Sequence, residues 1–148
     1  MSEVNKHPQI CNICGGKVIY TTNDAVYNRK YGSGYCYLCT VCRAYVGTHK
    51  PRPKEALGLL ANDRMRKGKI MCHDIFDGKW KKNKKFDGKT RAALYKWLAR
   101  QLGIDTADCH FGYFDLDMLL KSYKILVQIK YIDLIFDGNG NIINEVIL

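Results

Sequence analysis

Hydrophobic and polar positions alternate differently in successive parts of the chain. Between residues 10 and 50, the short apolar stretches Lys17-Val18-Ile19-Tyr20, Ala25-Val26-Tyr27 and Tyr35-Cys36-Tyr37-Leu38 are separated by Thr21-Thr22-Asn23-Asp24 and Tyr31-Gly32-Ser33-Gly34. Brief runs of β-formers between turn residues predict strands joined by tight turns. Pro51-Arg52-Pro53 interrupts this pattern, and the spacing beyond it favours helix over 54–60 and over about 62–77, where Asn62-Asp63 offers a cap and Gly68 weakens the interior. The clearest helix runs from Thr90 to Leu102, with Thr90 as N-cap, Gly103 as the stop, and Leu94, Trp97, Leu98 and Leu102 on one stripe. Asp115 is placed to cap a short helix over 116–123, and Ile125–Ile135 alternates as a strand. Asp137-Gly138-Asn139-Gly140-Asn141 then turns the chain into Ile142–Leu148, predicting a C-terminal β-hairpin.

Composition adds limits. At 148 residues, 47% hydrophobic and 26% charged, the chain has room for one packed domain and little more. Its apolar runs fall short of the roughly 18–20 residues that a membrane span needs, and the polar start Met1–His7 lacks an apolar signal core, so an intracellular protein is expected. Seven cysteines, an odd number, in a reducing compartment point to metal ligation before disulfides.

Cys11-Asn12-Ile13-Cys14-Gly15-Gly16 lets two thiolates of one tight turn reach a single tetrahedral ion, and Cys39-Thr40-Val41-Cys42 repeats the spacing 24 residues beyond Cys14. Four thiolates satisfy one structural Zn²⁺ with no open position, so this site is expected to build the fold and perform no chemistry. Cys36 is also correctly spaced from Cys39. The pair Cys39/Cys42 is preferred because Tyr35–Leu38 reads as the strand leading into the turn, which makes Cys36 a buried hydrophobe or a free thiol. Cys72-His73 and Cys109-His110, with His49 apart from them, are a second possible ligand set of undiagnostic spacing, more simply read as core or interface residues. The fold class expected is α+β: a flexible lead-in over 1–9, a zinc-ribbon-like module of short strands over 10–50, a basic helical part over 51–121 packed on it, and a hairpin over 122–148, together one compact domain.

The net charge of +10 has a location. From Arg64 to Arg100, 13 basic residues meet 3 acidic ones, while the rest of the chain carries 11 of each. Arg64, Arg66, Lys67 and Lys69 fall on the first long helix. Lys79, Lys81, Lys82, Lys84, Lys85 and Lys89 follow, interleaved with Trp80 and Phe86. Cations beside aromatics can grip phosphates and stack on bases, whereas lysines can also serve solubility alone, with the aromatics as buried anchors. This stretch is the candidate surface for nucleic acid or for a partner protein.

Catalytic constellations are weak. His73, Asn83 and His110 are the only candidates for a His-Asn-His nuclease, and their spacing and context argue against it. A phosphate loop, a nucleophile elbow and a His-Glu-x-x-His motif are missing, and Asp115 and Asp117 read as a helix cap and a solvated carboxylate. A non-enzymatic protein without a small-molecule substrate is expected.

The ordered set Cys11-x-x-Cys14-Gly-Gly-Lys-Val, Tyr31-Gly, Cys39-x-x-Cys42, Ala44-Tyr-Val-Gly-Thr-His49, Leu57-Gly58, His73-x-x-Phe76-Asp77, Trp80, Arg91-x-x-x-Tyr95-x-Trp97-Leu98 and Cys109-His110-Phe111-Gly112 resembles the zinc-finger-containing domain family of unknown function found in phages and prophages of bacteria. The resemblance covers about residues 10 to 120, implies zinc on Cys11, Cys14, Cys39 and Cys42, leaves Cys36 outside the pattern, and implies no activity. Residues 121–148 lie beyond it. A small zinc protein of such a setting is similar in size and metal to anti-CRISPR inhibitors of type II RNA-guided nucleases. The expectation that follows is a stoichiometric inhibitor of a host defence nucleoprotein in the bacterial cytoplasm. The alternative is a zinc-ribbon DNA- or RNA-binding protein of phage transcription or replication.

Overall fold

A computed structural model describes residues 4–27, 32–80, 87–139 and 141–148. Along the chain come strands β1 (Val18–Thr22), β2 (Tyr35–Cys39) and β3 (Tyr45–Gly47), helices α1 (Asp63–Trp80), α2 (Asp87–Leu102) and α3 (Leu116–Val127), and strands β4 (Ile132–Phe136) and β5 (Ile142–Ile147). The class is α+β, with a three-stranded antiparallel sheet ordered β1-β2-β3 and a separate two-stranded hairpin. None of the described helices is long and apolar enough to cross a membrane.

The chain divides into two compact units. One holds the residues up to Lys67 together with Gly112–Asp115, and the other holds Gly68–Phe111 with Leu116–Leu148. In the first, β1 pairs with β2 so that Val18 faces Cys39 and Tyr20 faces Tyr37, and β2 pairs with β3 so that Tyr37 faces Val46. Side chains two residues apart share a face of a sheet, so Val18, Tyr37, Cys39 and Val46 converge. They form one buried cluster with Cys11, Ala44, Ala56 and Leu60. The expected strand at Ala25–Tyr27 is instead a tight turn, because the 3-10 turn Asn23–Ala25 buries Asn23 and closes with hydrogen bonds from Val26 and Tyr27 to its carbonyl.

The segment 54–60, expected as helix, is an irregular connection of turns and bends. Its backbone bridges to the sheet at Thr48/Ala56 and Tyr45/Ala61, and Ala56 and Leu60 enter the core. Gly58 lies so close to Gly112 that an added Cβ would stand 2.2 Å from its carbonyl oxygen, while Leu59 donates to that same oxygen at 3.0 Å. Tyr20 and Tyr37 tie down the preceding loop by donating their hydroxyls to the carbonyls of Pro53 at 2.6 Å and Lys54 at 2.5 Å.

In the second unit Cys72 and Phe76 from α1, Leu94, Leu98 and Leu102 from α2, and Leu119 and Leu126 from α3 are buried. Gly68 costs helix propensity but leaves room for Leu119, whose Cδ1 is 3.4 Å from where a Cβ would be. Asn62 caps α1 as expected, its Oδ1 accepting from Met65 N at 2.9 Å. Helix α2 begins at Asp87, three residues before the expected cap, so Thr90 sits buried within the first turn. Helix α3 runs four residues past the expected end because Leu119, Ser122 and Leu126 keep one buried helical stripe, which removes Ile125–Val127 from the expected strand. The hairpin is present, with Ile132 opposite Ile147. Its turn is fastened by the Asp137 carboxylate, which accepts from the backbone N–H of Asn139 and of Asn141, each at 2.9 Å.

Candidate metal centre

The two Cys-x-x-Cys turns are copies of one backbone design. In the first, Cys11 N–H donates to Gly16 O at 2.8 Å and Gly15 N–H donates back to Cys11 O at 3.0 Å. In the second, Cys39 N–H donates to Ala44 O at 2.8 Å and Arg43 N–H donates to Cys39 O at 3.2 Å. The residue after the second cysteine takes a left-handed conformation in both, at φ 76° for Gly15 and 67° for Arg43. Glycine meets this requirement without strain, whereas Arg43 adopts it at a cost. Gly16 answers a different need: a Cβ there would lie 2.6 Å from Val41 Cγ2 and 3.1 Å from Cys39 Sγ.

These turns bring Cys11, Cys14, Cys39 and Cys42 together, with all four Sγ atoms within 4.8 Å of one another. Thiolates about 2.3 Å from a tetrahedral Zn²⁺ stand about 3.8 Å apart. Cys11 and Cys42 are 3.7 Å apart and Cys14 and Cys39 are 3.5 Å apart, so the cage has the size of a zinc site. Main-chain N–H groups already point at the sulfurs: Ile13 to Cys11 at 3.4 Å, Gly16 to Cys14 at 3.3 Å, and Val41 and Cys42 to Cys39 at 3.4 Å each. Cys11 and Cys39 are buried and Cys14 and Cys42 exposed, so the cage lies at the edge of the core.

Electrostatics show why a dication suits the cage. Burial works against a Cys39 thiolate, but the backbone N–H groups of Cys42 and Val41, together with the Cys14 and Cys42 thiols, bring it down to about 6. Cys42 moves the other way. The Ala44 N–H favours its thiolate, yet burial and the crowding of Cys14, Cys11 and Cys39 push it up to about 12. A cation among the sulfurs would relieve this crowding by stabilising thiolates. A zinc ion held by these four thiolates would have no coordination position left for a substrate, as in structural zinc sites.

The other cysteines are placed differently. Cys36 is buried with Sγ 4.0 Å from Thr22 O and takes no part in the cage, and burial, then Asp24, raises its thiol. Cys72 donates to Leu119 O at 3.3 Å, Cys109 is buried, and burial pushes both up to about 11. Among the described residues, Cys72, His73, Cys109, His110 and His49 do not gather into a metal-holding group.

The basic candidates scatter in role. Arg66 is stacked 3.7 Å over the Tyr45 ring, donates to Tyr45 O at 3.4 Å and lies 3.6 Å from Asp63, so it is a packing residue of the sheet unit. Lys79 donates to Ile129 O at 2.6 Å, and Trp80 donates to Asp77 at 2.7 Å. Arg64, Lys67 and Lys89 are exposed and Lys69 is half-buried. Lys81, Lys82, Lys84 and Lys85, with Asn83 and Phe86, lie outside the described residues.

Sequence reasoning did not single out Asn12, Gly16 as a contact to Val41, or Arg43 as a strained position. The repeated Cys-x-x-Cys spacing was the available signal, since it implies that Arg43 occupies the place of Gly15. Among known families, residues 7–129 match the one described as a zinc-finger-containing domain. None of the curated proteins and none of the solved structures compared matches the chain.

Proposed function

This chain belongs to the family of zinc-finger-containing domains, and on that premise we propose that it is a non-enzymatic binding protein. Its zinc holds the fold and its positive charge engages nucleic acid, free or within a nucleoprotein. The observation that carries this reading is the confinement of the whole +10 excess to residues 64–100. Within that stretch Lys89, Lys96 and Arg100 are exposed, seven and then four residues apart on α2. At 3.6 residues per turn they fall within about 40° of arc, a cationic stripe opposite Leu98. Such a surface steers a polyanion and gains from counterion release.

Affinity for a labelled single-stranded oligonucleotide, measured as salt is raised, tests this reading. Binding is expected to fall steeply with salt. Replacement of Lys81, Lys82, Lys84, Lys85 and Lys89 by Gln is expected to flatten the slope by about 0.7 for each phosphate that the variant no longer neutralises. Unchanged affinity and slope in that variant would remove this stretch as the binding surface. The narrower form of the reading is a stoichiometric inhibitor of an RNA-guided nuclease. It requires inhibition that saturates near one protein per nuclease and persists in excess carrier DNA.

A further inference from the structure

The helical unit carries a polar cluster that the zinc site does not use. Lys69, His73 and Asp77 follow at four-residue intervals on α1, and Arg91 and Tyr95 do so on α2, so each set shares one helix face. A buried aromatic floor joins the two faces. The Phe76 ring lies 4.2 Å from Tyr95 and 5.6 Å from Phe111, measured between centroids. His73 stands edge-on to Phe111 at 4.8 Å, Tyr95 is 6.3 Å from His110, and the Arg91 guanidinium lies 4.9 Å over the Tyr95 ring. Phe76 and Phe111 are buried, whereas His73, Arg91 and His110 are exposed and Tyr95 is half-exposed.

Three segments distant in sequence thus present two imidazoles, a guanidinium and a phenol beside one another, each anchored by ring packing. Anchoring of this kind lowers the entropy lost when such groups grip a ligand. They are rich in N–H and O–H donors. The acids beside His73 are Asp77, already receiving the Trp80 N–H at 2.7 Å, and Asp74, exposed next to it, while Asp108 lies beside His110, whose backbone N–H donates to the Asp108 carbonyl at 3.0 Å. Partial burial of the ring, above all, makes the His73 imidazole harder to protonate. Arg91 and Lys69 add to that effect, and Asp77 and Asp74 oppose it. The field at His73 therefore contains two cations, Arg91 and Lys69, set against two carboxylates.

We propose that Lys69, His73, Arg91, Tyr95 and His110 form a second site that binds a phosphate group, with the phosphodiester of a nucleic acid as its ligand. The ligand class rests on the function proposed above. The site itself rests on the cluster. Arg91 supplies the paired donors that suit phosphate oxygens, His73, His110 and Tyr95 supply single donors, and Lys69 supplies a point charge.

The test is histidine-ring NMR of the zinc-loaded protein titrated with inorganic phosphate, with chloride at matched ionic strength as control, and then with oligothymidylate. The expected result is saturable movement of the His73 and His110 ring signals with phosphate. His7 and His49 should stay still, and Arg91→Gln should weaken the response at least tenfold. Equal movement of all four histidines, or movement matched by chloride, would overturn the site. Lys124→Gln, an exposed change on α3, should leave the response intact, and its loss there would also count against the site. Oligothymidylate moving the same two signals supports the nucleic-acid assignment. A response to phosphate without one to the oligonucleotide would overturn that assignment, while the phosphate site itself would stand and the function proposed above would still be decided by its own salt titration.

Discussion

The side-chain amide of Asn12 pairs with both main-chain polar groups of Leu60: its Nδ2 donates to Leu60 O and its Oδ1 accepts from Leu60 N, each at 3.0 Å. The first cysteine turn is thereby fastened to the connection that closes over the sheet, 48 residues away in sequence. Asn12→Ala removes both bonds and leaves Leu60, buried in the core, with unsatisfied backbone groups. A loss of about 2–3 kcal/mol is expected in denaturant unfolding of the zinc-loaded protein. Asn12→Asp should retain only the half in which the side chain accepts.

The two cysteine turns predict opposite outcomes for substitutions at glycine-like positions. Gly16→Ala drives a Cβ into Val41 and should lower stability by about 1–3 kcal/mol. Arg43→Gly releases a left-handed residue and should leave stability unchanged or raise it by about 1 kcal/mol, unless the Arg43 hydrogen bond to Ala25 O offsets the gain. Thermal melts of both variants check the pair. Destabilisation by Arg43→Gly as large as that by Gly16→Ala would mean that the left-handed backbone at Arg43 carries no strain.

Gly58→Ala should be among the most damaging single changes in the sheet unit, because the new methyl group collides with backbone at Gly112 rather than with a movable side chain. A loss of about 3 kcal/mol or more is expected. Wild-type stability in this variant would refute the close approach of the two chain segments.

Alkaline pH should weaken the fold through its buried thiols. Cys72 and Cys109 bind their protons more tightly in the folded chain, since burial raises both to about 11 from an ordinary value near 9. A raised value gives stability that is fully present below the unfolded pKa and is lost as pH climbs through the folded one. Unfolding free energy should therefore fall between about pH 9 and 11, and Cys72→Ala should reduce that slope. The same burial predicts that both thiols resist alkylation at neutral pH until the chain unfolds.

Much of the metal centre is legible in the sequence because it is local: each Cys-x-x-Cys turn specifies its own geometry over six residues, and two such turns need only one sheet to meet. The hairpin at Asp137 and the cap at Asn62 were readable for the same reason. Misreadings arose where a tertiary contact overruled a local pattern. Ala56, Leu57 and Leu60 are spaced as on a helix, but Pro53 before them and the Gly58–Gly112 approach keep the segment out of a helix. Ile125, Val127 and Ile129 alternate as in a strand, yet the buried positions Leu119, Ser122 and Leu126 continue the helix through Val127. Thr90 has the residue type of a cap but lies inside α2. The cluster of Arg91, Tyr95, His73 and His110 could not be read from spacing, since it depends on how two helices and the turn at Phe111 pack together.

The central claim is that one zinc ion on Cys11, Cys14, Cys39 and Cys42 organises the sheet unit. Its most direct test is far-ultraviolet circular dichroism and thermal melting before and after complete zinc removal, with metal content measured in the same samples. The strand signal of the sheet unit should be lost on removal, return on adding one equivalent of Zn²⁺, and fail to return in Cys39→Ser, because binding free energy at a structural zinc is folding free energy. An unchanged spectrum and an unchanged melt in verified metal-free protein would contradict it.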